Sequence, residues 1–313
     1  MNAQSAAVRR TTQTLNHIRG RHHHAMGSPV PADPPWRATF LSHIQRMESP
    51  VFALSSLRQV DRASSSASSS PSTTSPLSSQ HVAAAPRVRT VVFRGLWAAL
   101  SVNPKNPAER NPDTFTSHLP TFTTDARMDK MPELEGESTA AAGSDGGRGG
   151  TYQSGGGGLV EGVFWAEEDR TQWRLRGRAY VLGPDIDSET GAPVRAALEP
   201  HMRRVNGGTA GPWSWSREVT AHFGNLGPLM RGTFRNPPPG TPRSQEPGQG
   251  LGPGQRVEDL EDEVARRNFR VVVIVPDEVD RVDLSDPENG RRWNYKLEDE
   301  DGSDSWKVTE LWP

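Results

Sequence analysis

The chain contains no cysteine. That excludes a disulfide framework, a thiol nucleophile and any thiolate-held zinc. No apolar run approaches the length of a bilayer span, so no membrane partner is expected. Neither charge dominates: 36 Lys and Arg stand against 38 Asp and Glu, a formal charge of −2. That balance gives no basis for a general nucleic-acid surface. Familiar catalytic spacings are missing as well. The nine His form no HExxH pattern, no GxSxG surrounds a serine, and no metal site is expected. No internal repeat occurs, and hydrophobic residues make up only 33% of the chain.

Gly (30) and Pro (27) are plentiful, and much of both lies in four polar stretches, 1–34, 61–85, 136–158 and 236–258. Their composition predicts disorder, because too little apolar surface is available to offset ordering entropy. The remainder reads as one domain over 35–313, with flexible insertions at 61–85, 136–158 and 236–258. Residues 1–34 read as a basic tail carrying Arg9, Arg10, Arg19 and Arg21, with no acid before Asp33. A cytoplasmic location is expected, with mitochondrial targeting by this tail as the alternative.

Trp36, Phe40, Ile44 and Met47 recur at spacings of four, four and three, which predicts a helix with one apolar stripe after Pro35. Strands are predicted at Val51–Leu57, around Thr90–Phe93, weakly over 117–124, and at Val160–Trp165. Asp125 is expected to cap a short helix carrying Lys130 and Leu134. The GGGG run of 155–158 is read as linker, since no phosphate-loop Lys follows it. Alternation is clearest at 172–181, with Trp173, Leu175, Gly177, Ala179 and Val181 facing inward. Arg174, Arg176 and Arg178 face the other way and read as a solvated basic face. Helices are expected at Ser216–Phe223 and near Glu258–Arg267. Phe269–Val275 reads as a strand buried on both faces, followed by a turn at Pro276-Asp277 and by strands around 293–297 and 306–311. About seven strands with a few short helices predict a mostly β protein, most simply a barrel.

Arg, Lys, Thr and Gln beside strands can hold an anionic cofactor but do little chemistry unaided, so a cofactor would carry the reaction. The run Arg89-Thr90-Val91-Val92-Phe93-Arg94, followed by Phe122-Thr123-Thr124-Asp125-Ala126-Arg127-Met128-Asp129-Lys130, resembles the pyridoxamine 5′-phosphate oxidase family. Gln172-Trp173-Arg174-Leu175-Arg176-Gly177 resembles its next motif, and the ending Trp306 to Pro313 resembles its C-terminus. The segments PPWRATFLSHI and RGTFRNPPPGTP are more similar to a divergent, cyanobacterial or fungal branch of FMN-binding relatives.

The resemblance implies an FMN-binding split β-barrel with disordered insertions, working as a homodimer with FMN at the subunit interface. By the same resemblance Arg89 and Lys130 match residues that hold the FMN phosphate. Thr123 and Thr124 match the pair beside phosphate and ring, Gln172 matches a flavin-bonding Gln, and Arg292 a late flavin contact. Arg94 matches a basic residue near flavin or substrate. Met128 and Asp129 depart from the family's Ser and Arg, with Arg127 as the nearest substitute. No His stands between Arg281 and Arg292, where the family anchors its substrate phosphate, and the family's preceding Trp is missing near Asp283. Trp306 and Trp312 are expected to pack as core and lid. The expected function is a flavin-dependent oxidase or reductase of a small substrate. The alternatives are a non-catalytic FMN carrier and a cofactor-free interaction scaffold.

Overall fold

The alternation at 172–181 becomes strand β6, Thr171–Leu182, in which Trp173, Leu175, Gly177, Ala179 and Val181 are buried while Arg176 and Arg178 are exposed. The computed structural model that establishes this describes residues 33–60, 83–136, 153–205, 211–300 and 303–313. On one side of β6 runs β5, Gly155–Ala166, then β1, Val51–Val60, then β2, Ala83–Val92, every pair antiparallel. On its other side lies β8, Phe269–Asp283, a strand of 15 residues.

The far edge of β8 is divided. β4, Thr121–Asp125, pairs with Phe269–Val273, and β9, Arg291–Glu300, pairs with Glu278–Asp283. β9 then turns into β10, Ser303–Leu311. The chain leaving β2 meets β4, where the Arg94 amide donates to Thr121 O at 2.8 Å and the Thr121 amide to Gly95 O at 2.9 Å. β1, β2, β4, β8, β6 and β5 therefore close a ring, and the β9–β10 hairpin splits away from it. This is the split β-barrel the resemblance implied. β3, Phe115–Ser117, and β7, Met202–Arg204, form a separate pair, so the described residues hold ten strands rather than seven.

Two cores form on the two faces of β8. Inside the ring, Phe52, Phe122, Phe164, Trp173, Leu175, Val272 and Ile274 are buried. One end is plugged by helix α1, Arg37–Arg46, whose stripe delivers Phe40 and Ile44, with Trp36 just ahead of it, as predicted. Phe40 meets Phe164 at 5.2 Å and Trp173 at 5.5 Å, edge to face. Truncating a buried Phe of this kind costs about 3–5 kcal/mol. Outside the ring, Phe269, Val271 and Val273 pack against a helical layer. That layer comprises α2, Ala192–Leu198, α3, Trp215–Gly224, α4, Pro228–Gly232, and α5, Glu263–Asn268. Ser214 caps α3 by accepting from the Arg217 amide, and Asp262 caps α5 by accepting from the Ala265 amide. A strand apolar on both faces was legible at 269–275, and these two cores are the reason.

Several expectations are corrected. No turn occurs at Pro276-Asp277. β8 runs through, because Gly177 lies opposite Pro276 while Arg176 lies opposite Glu278, which leaves Asp277 as a bulge. The GGGG run opens β5 instead of forming a linker. Gly156 takes φ +129, and a Cβ there would lie 2.5 Å from the Ala179 carbonyl. Ala83–Ala85 belong to β2. Asp33 joins the fold through ion pairs with Arg37 and Arg203. Segment 236–258 is an exposed coil of turns for most of its length, but its end is pinned, with Val257 buried and its amide donating to Pro228 O at 3.1 Å. Asp125 caps no helix. Its carboxylate accepts from the Arg127 amide at 2.8 Å in a turn, and the helical turn that follows is the short Met131–Leu134. Trp306 packs on Trp36 at 5.8 Å, whereas Trp312 is 89% exposed. The remaining disorder expectations, on 1–32, 61–82 and 137–152, lie outside the described residues. Among the described residues no helix is long and apolar enough to cross a membrane.

The bulge depends on Gly177, where a Cβ would sit 2.0 Å from the Val275 carbonyl oxygen. Gly177→Ala is expected to destabilise by about 3 kcal/mol because backbone must move. Thermal melting should fall by about 6–12 °C for a domain of this size. Gly155→Ala, where nothing lies within 4 Å of the added carbon, is the control and should shift the melt little.

Candidate functional site

The inward face of β1 carries Phe52 and Leu54 and then turns polar with Ser56 and Arg58. Polar side chains on a core-facing register need partners. The Met131–Leu134 turn supplies one in Glu133, which is 5% exposed. Glu133 Oε2 accepts from Ser56 Oγ at 2.6 Å and from the Arg89 guanidinium, and Oε1 accepts from Arg58 Nε at 2.9 Å. Arg89 also donates to Ser56 Oγ, and Arg58 donates to the Asp129 carbonyl at 2.9 Å. Burial pushes the Glu133 carboxyl up, but the Ser56 and Arg89 hydrogen bonds and the two guanidinium charges outweigh it and hold the group below the usual range.

Lys130 completes this cluster. It is 8% exposed, and its Nζ donates to Thr124 Oγ1 at 3.0 Å and lies 2.8 Å from Met128 Sδ. Among the described residues no carboxylate lies within 4 Å of this ammonium. Burial lowers its pKa to about 8, helped by the Arg89 charge and opposed by Asp125, Glu133 and Asp129. A buried ammonium beside a guanidinium, matched only by neutral ligands, is a donor set that fits a phosphate. Arg89, Thr124 and Lys130 are thus brought together as the sequence implied.

The other candidates lie elsewhere in this chain. Arg89 is in register with Leu54, Gly162 and Leu175 across β1, β5 and β6. Gln172 is therefore about 14 Å across the sheet and about 10 Å along it, and on the outer face. There Gln172, Val282 and Arg292 form one row. Arg292 Nε donates to Asp280 Oδ2 at 2.9 Å, and Arg174 lies 3.2 Å from Asp280 Oδ1 and 3.9 Å from Glu161. Arg176 pairs with Glu278 at 3.3 Å. The expected basic face is thus a ladder of alternating acids and bases. Thr123, opposite Val271, belongs to the register of the helical layer.

Arg94 also meets the helical layer. Its guanidinium makes no hydrogen bond among the described residues, and burial lowers its pKa. Beside it His222 of α3 is 1% exposed with both ring nitrogens unpartnered and its pKa lowered to about 3 by burial and then by the Arg94 charge. Trp97 stacks on His222 at 5.7 Å. Glu218 on the same helix is buried, which pushes its carboxyl up, and it accepts from Asn111 Nδ2 at 3.0 Å. Arg127 replaces no phosphate ligand, because it is held by both Asp125 oxygens, at 2.6 and 2.9 Å, and by the Asn236 carbonyl at 3.0 Å. Late in the chain, Trp293 lies between the guanidinium groups of Arg281 and Arg291, each 4.6 Å from its ring. Sequence reasoning missed Ser56, Arg58 and Glu133. The polar end of an otherwise apolar strand face at 52–58 was the available signal.

Residues 33–183 match the family model described as pyridoxamine 5′-phosphate oxidase, FMN-binding domain. An uncharacterised protein of Saccharomyces cerevisiae is 26% identical over 103 residues, which is 33% of this chain and 35% of the yeast protein. The chain thus spans about a third of that relative's length. A solved structure of a pyridoxamine 5′-phosphate oxidase-related, FMN binding protein from Nostoc punctiforme superposes with a TM-score of 0.50 at 18% identity. That superposition covers 90% of this chain and 100% of the other, and speaks to the fold. Every residue of the Arg89, Thr124 and Lys130 cluster falls inside the matched segment. Residues 33–183, just under half of the chain, are thus similar to the pyridoxamine 5′-phosphate oxidase FMN-binding domain family, and the described residues form a split barrel.

Proposed function

We propose that this chain binds FMN by its phosphate at Arg89, Thr124 and Lys130, and serves as a flavin-dependent oxidoreductase of a small organic substrate. The carrying observation is the buried Lys130 ammonium with no carboxylate partner, an arrangement an incoming phosphate relieves. Bound FMN would supply a two-electron acceptor for hydride chemistry. The chain's own task is binding and orientation. Arg89 and Lys130 donate charge-assisted hydrogen bonds to the phosphate, and the Thr124 hydroxyl shares in them. Gln172 can both donate to and accept from a flavin ring edge, and Arg292 is fixed beside it by Asp280.

These two groups face different sides of the sheet, so we further propose a C2 homodimer in which one copy's outer face completes the other copy's site. That face supports the reading with an exposed apolar strip: Val51, Leu57, Val88, Leu159 and Trp165 are 38–71% exposed. Register places all five on the outer side of β1, β2 and β5. No nucleic-acid or membrane partner enters this reading. A second reading, an FMN carrier without turnover of pyridoxamine phosphate, is favoured by the late cations. Arg281 is bound to Asp283 at 2.7 Å, Arg291 to Glu310 at 2.8 Å and Arg292 to Asp280 at 2.9 Å, which leaves no unmatched guanidinium there.

Fluorescence titration should show FMN bound well ahead of riboflavin. The phosphate is a dianion above pH 7, and Lys130 must be charged to meet it. With the free lysine near pH 8, binding above that pH requires proton uptake, so FMN affinity should fall between pH 7 and 9. The slope approaches tenfold per unit and should vanish in Lys130→Met. Equal affinity for riboflavin and FMN would remove the assignment. Sedimentation should give a dimer at micromolar concentration. Trp165→Glu with Val88→Glu should yield folded monomers that bind FMN poorly, and a wild-type monomer holding FMN would defeat the dimer. Oxygen consumption with pyridoxamine phosphate should stay near background in wild type and in Arg291→Ala. Efficient turnover lost in that variant would reverse this expectation.

A further inference from the structure

The cluster around Glu133 contains more than the phosphate-facing groups require. Arg89 donates through one nitrogen to Ser56 Oγ and through another to Glu133 Oε2, while the Ser56 hydroxyl donates to that same oxygen at 2.6 Å. This closed loop fixes the guanidinium plane. Two of five N–H donors are spent, and three remain for a ligand. On the other carboxylate oxygen Arg58 is clamped at 2.9 Å, and its further bond to the Asp129 carbonyl ties β1 to the residue just before Lys130. The Glu133 side chain is 1% exposed, so the carboxylate is not a solvated neighbour.

The charges point the same way. Arg58 and Arg89 bind one buried carboxylate, Glu133, and Lys130 stands near them without a carboxylate within 4 Å among the described residues. Asp125 is matched by Arg127, and the Asp129 side chain is 91% exposed. Setting aside the solvent-screened Asp129 carboxylate, 3.9 Å from Arg58, two positive charges are left over, which a phosphate monoester dianion cancels.

We propose that Glu133, held by Ser56 and Arg58, is the positioning residue of this anion site: it sets the direction of Arg89 and trims the site's charge to that of a phosphate monoester. The proposal rests on the FMN reading above. It makes a prediction whose sign separates positioning from simple attraction. Removing a negative charge beside an anion site should tighten anion binding if only net charge matters. If Glu133 positions Arg89, binding should weaken instead. In Glu133→Gln an amide NH2 would replace one of the two accepting oxygens and the other would lose its charge, so the Arg89 and Arg58 clamps could not both be kept.

The experiment is a fluorescence-quench titration of the full chain with FMN and, separately, with riboflavin. Wild type, Glu133→Gln, Arg58→Met and the double variant are compared. Glu133→Gln should lose FMN affinity by on the order of tenfold, the scale of one charge-assisted hydrogen bond, with riboflavin affinity unchanged. Arg58→Met should show a smaller loss, also confined to FMN. The double variant should be no worse than Glu133→Gln alone, because the two act through one network. Tighter FMN binding by Glu133→Gln, equal loss of both flavins, or additive losses would overturn the proposal. If Glu133→Gln does not fold, the half-exposed Arg58→Met decides alone, and an unchanged preference for FMN over riboflavin would overturn it. A wild type without that preference defeats the FMN reading and the proposal with it. A wild-type preference retained in both variants defeats only the proposal.

Discussion

Strand β8 hydrogen-bonds to β6 along one edge and to both β4 and β9 along the other, and among the described residues no other strand has three partners. One of its faces lines the barrel interior with Val272 and Ile274, and the other carries the helical layer on Val271 and Val273. Both cores therefore depend on fifteen consecutive residues remaining extended. The bulge at Asp277 makes this possible, because it accommodates a proline that pairs with β6 at the gap between the β4 and β9 pairings on the far edge. It also resets the side-chain phase, so that Val279 returns to the interior while Glu278 and Asp280 face outward with Arg176 and Arg174. One extra residue thus decides which charges meet on the outer face.

Much of this was legible from pattern. The stripe Trp36, Phe40, Ile44 and the alternation of 172–181 each obey a single period, and each formed the element its period requires. The misreadings occurred where composition and context conflict. Four consecutive glycines suggest a linker until one sees that the backbone of β6 passes too close to Gly156 for any side chain. Pro276 suggests a turn until its partner is known to be Gly177. Neither partner is local in sequence, and no window around either residue contains the answer.

The candidate site divides in the same way. Arg89, Thr124 and Lys130 could be matched one at a time to family positions, and they do converge. The carboxylate that holds Arg89 could not be found that way. Glu133 gains its role from Ser56 and Arg58, 77 and 75 residues away in sequence. The outward arginines illustrate the converse. A row of Arg reads as a basic surface, yet Glu161, Glu278 and Asp280 on neighbouring strands nearly neutralise it.

The split of the barrel bears on how its parts open. The β9–β10 hairpin is joined to the rest of the sheet along β9 alone, through six register pairs with β8, and leaves β10 as an outer edge, while each strand of the closed ring has a neighbour on both sides. Protection against hydrogen exchange should follow that hierarchy, with β10 opening first and β8 opening only with global unfolding. Arg292 lies on the hairpin, and Arg89 and Lys130 lie on the ring. Arg292 and the Arg89–Lys130 cluster consequently belong to different cooperative units, and the cluster should stay formed when the hairpin frays.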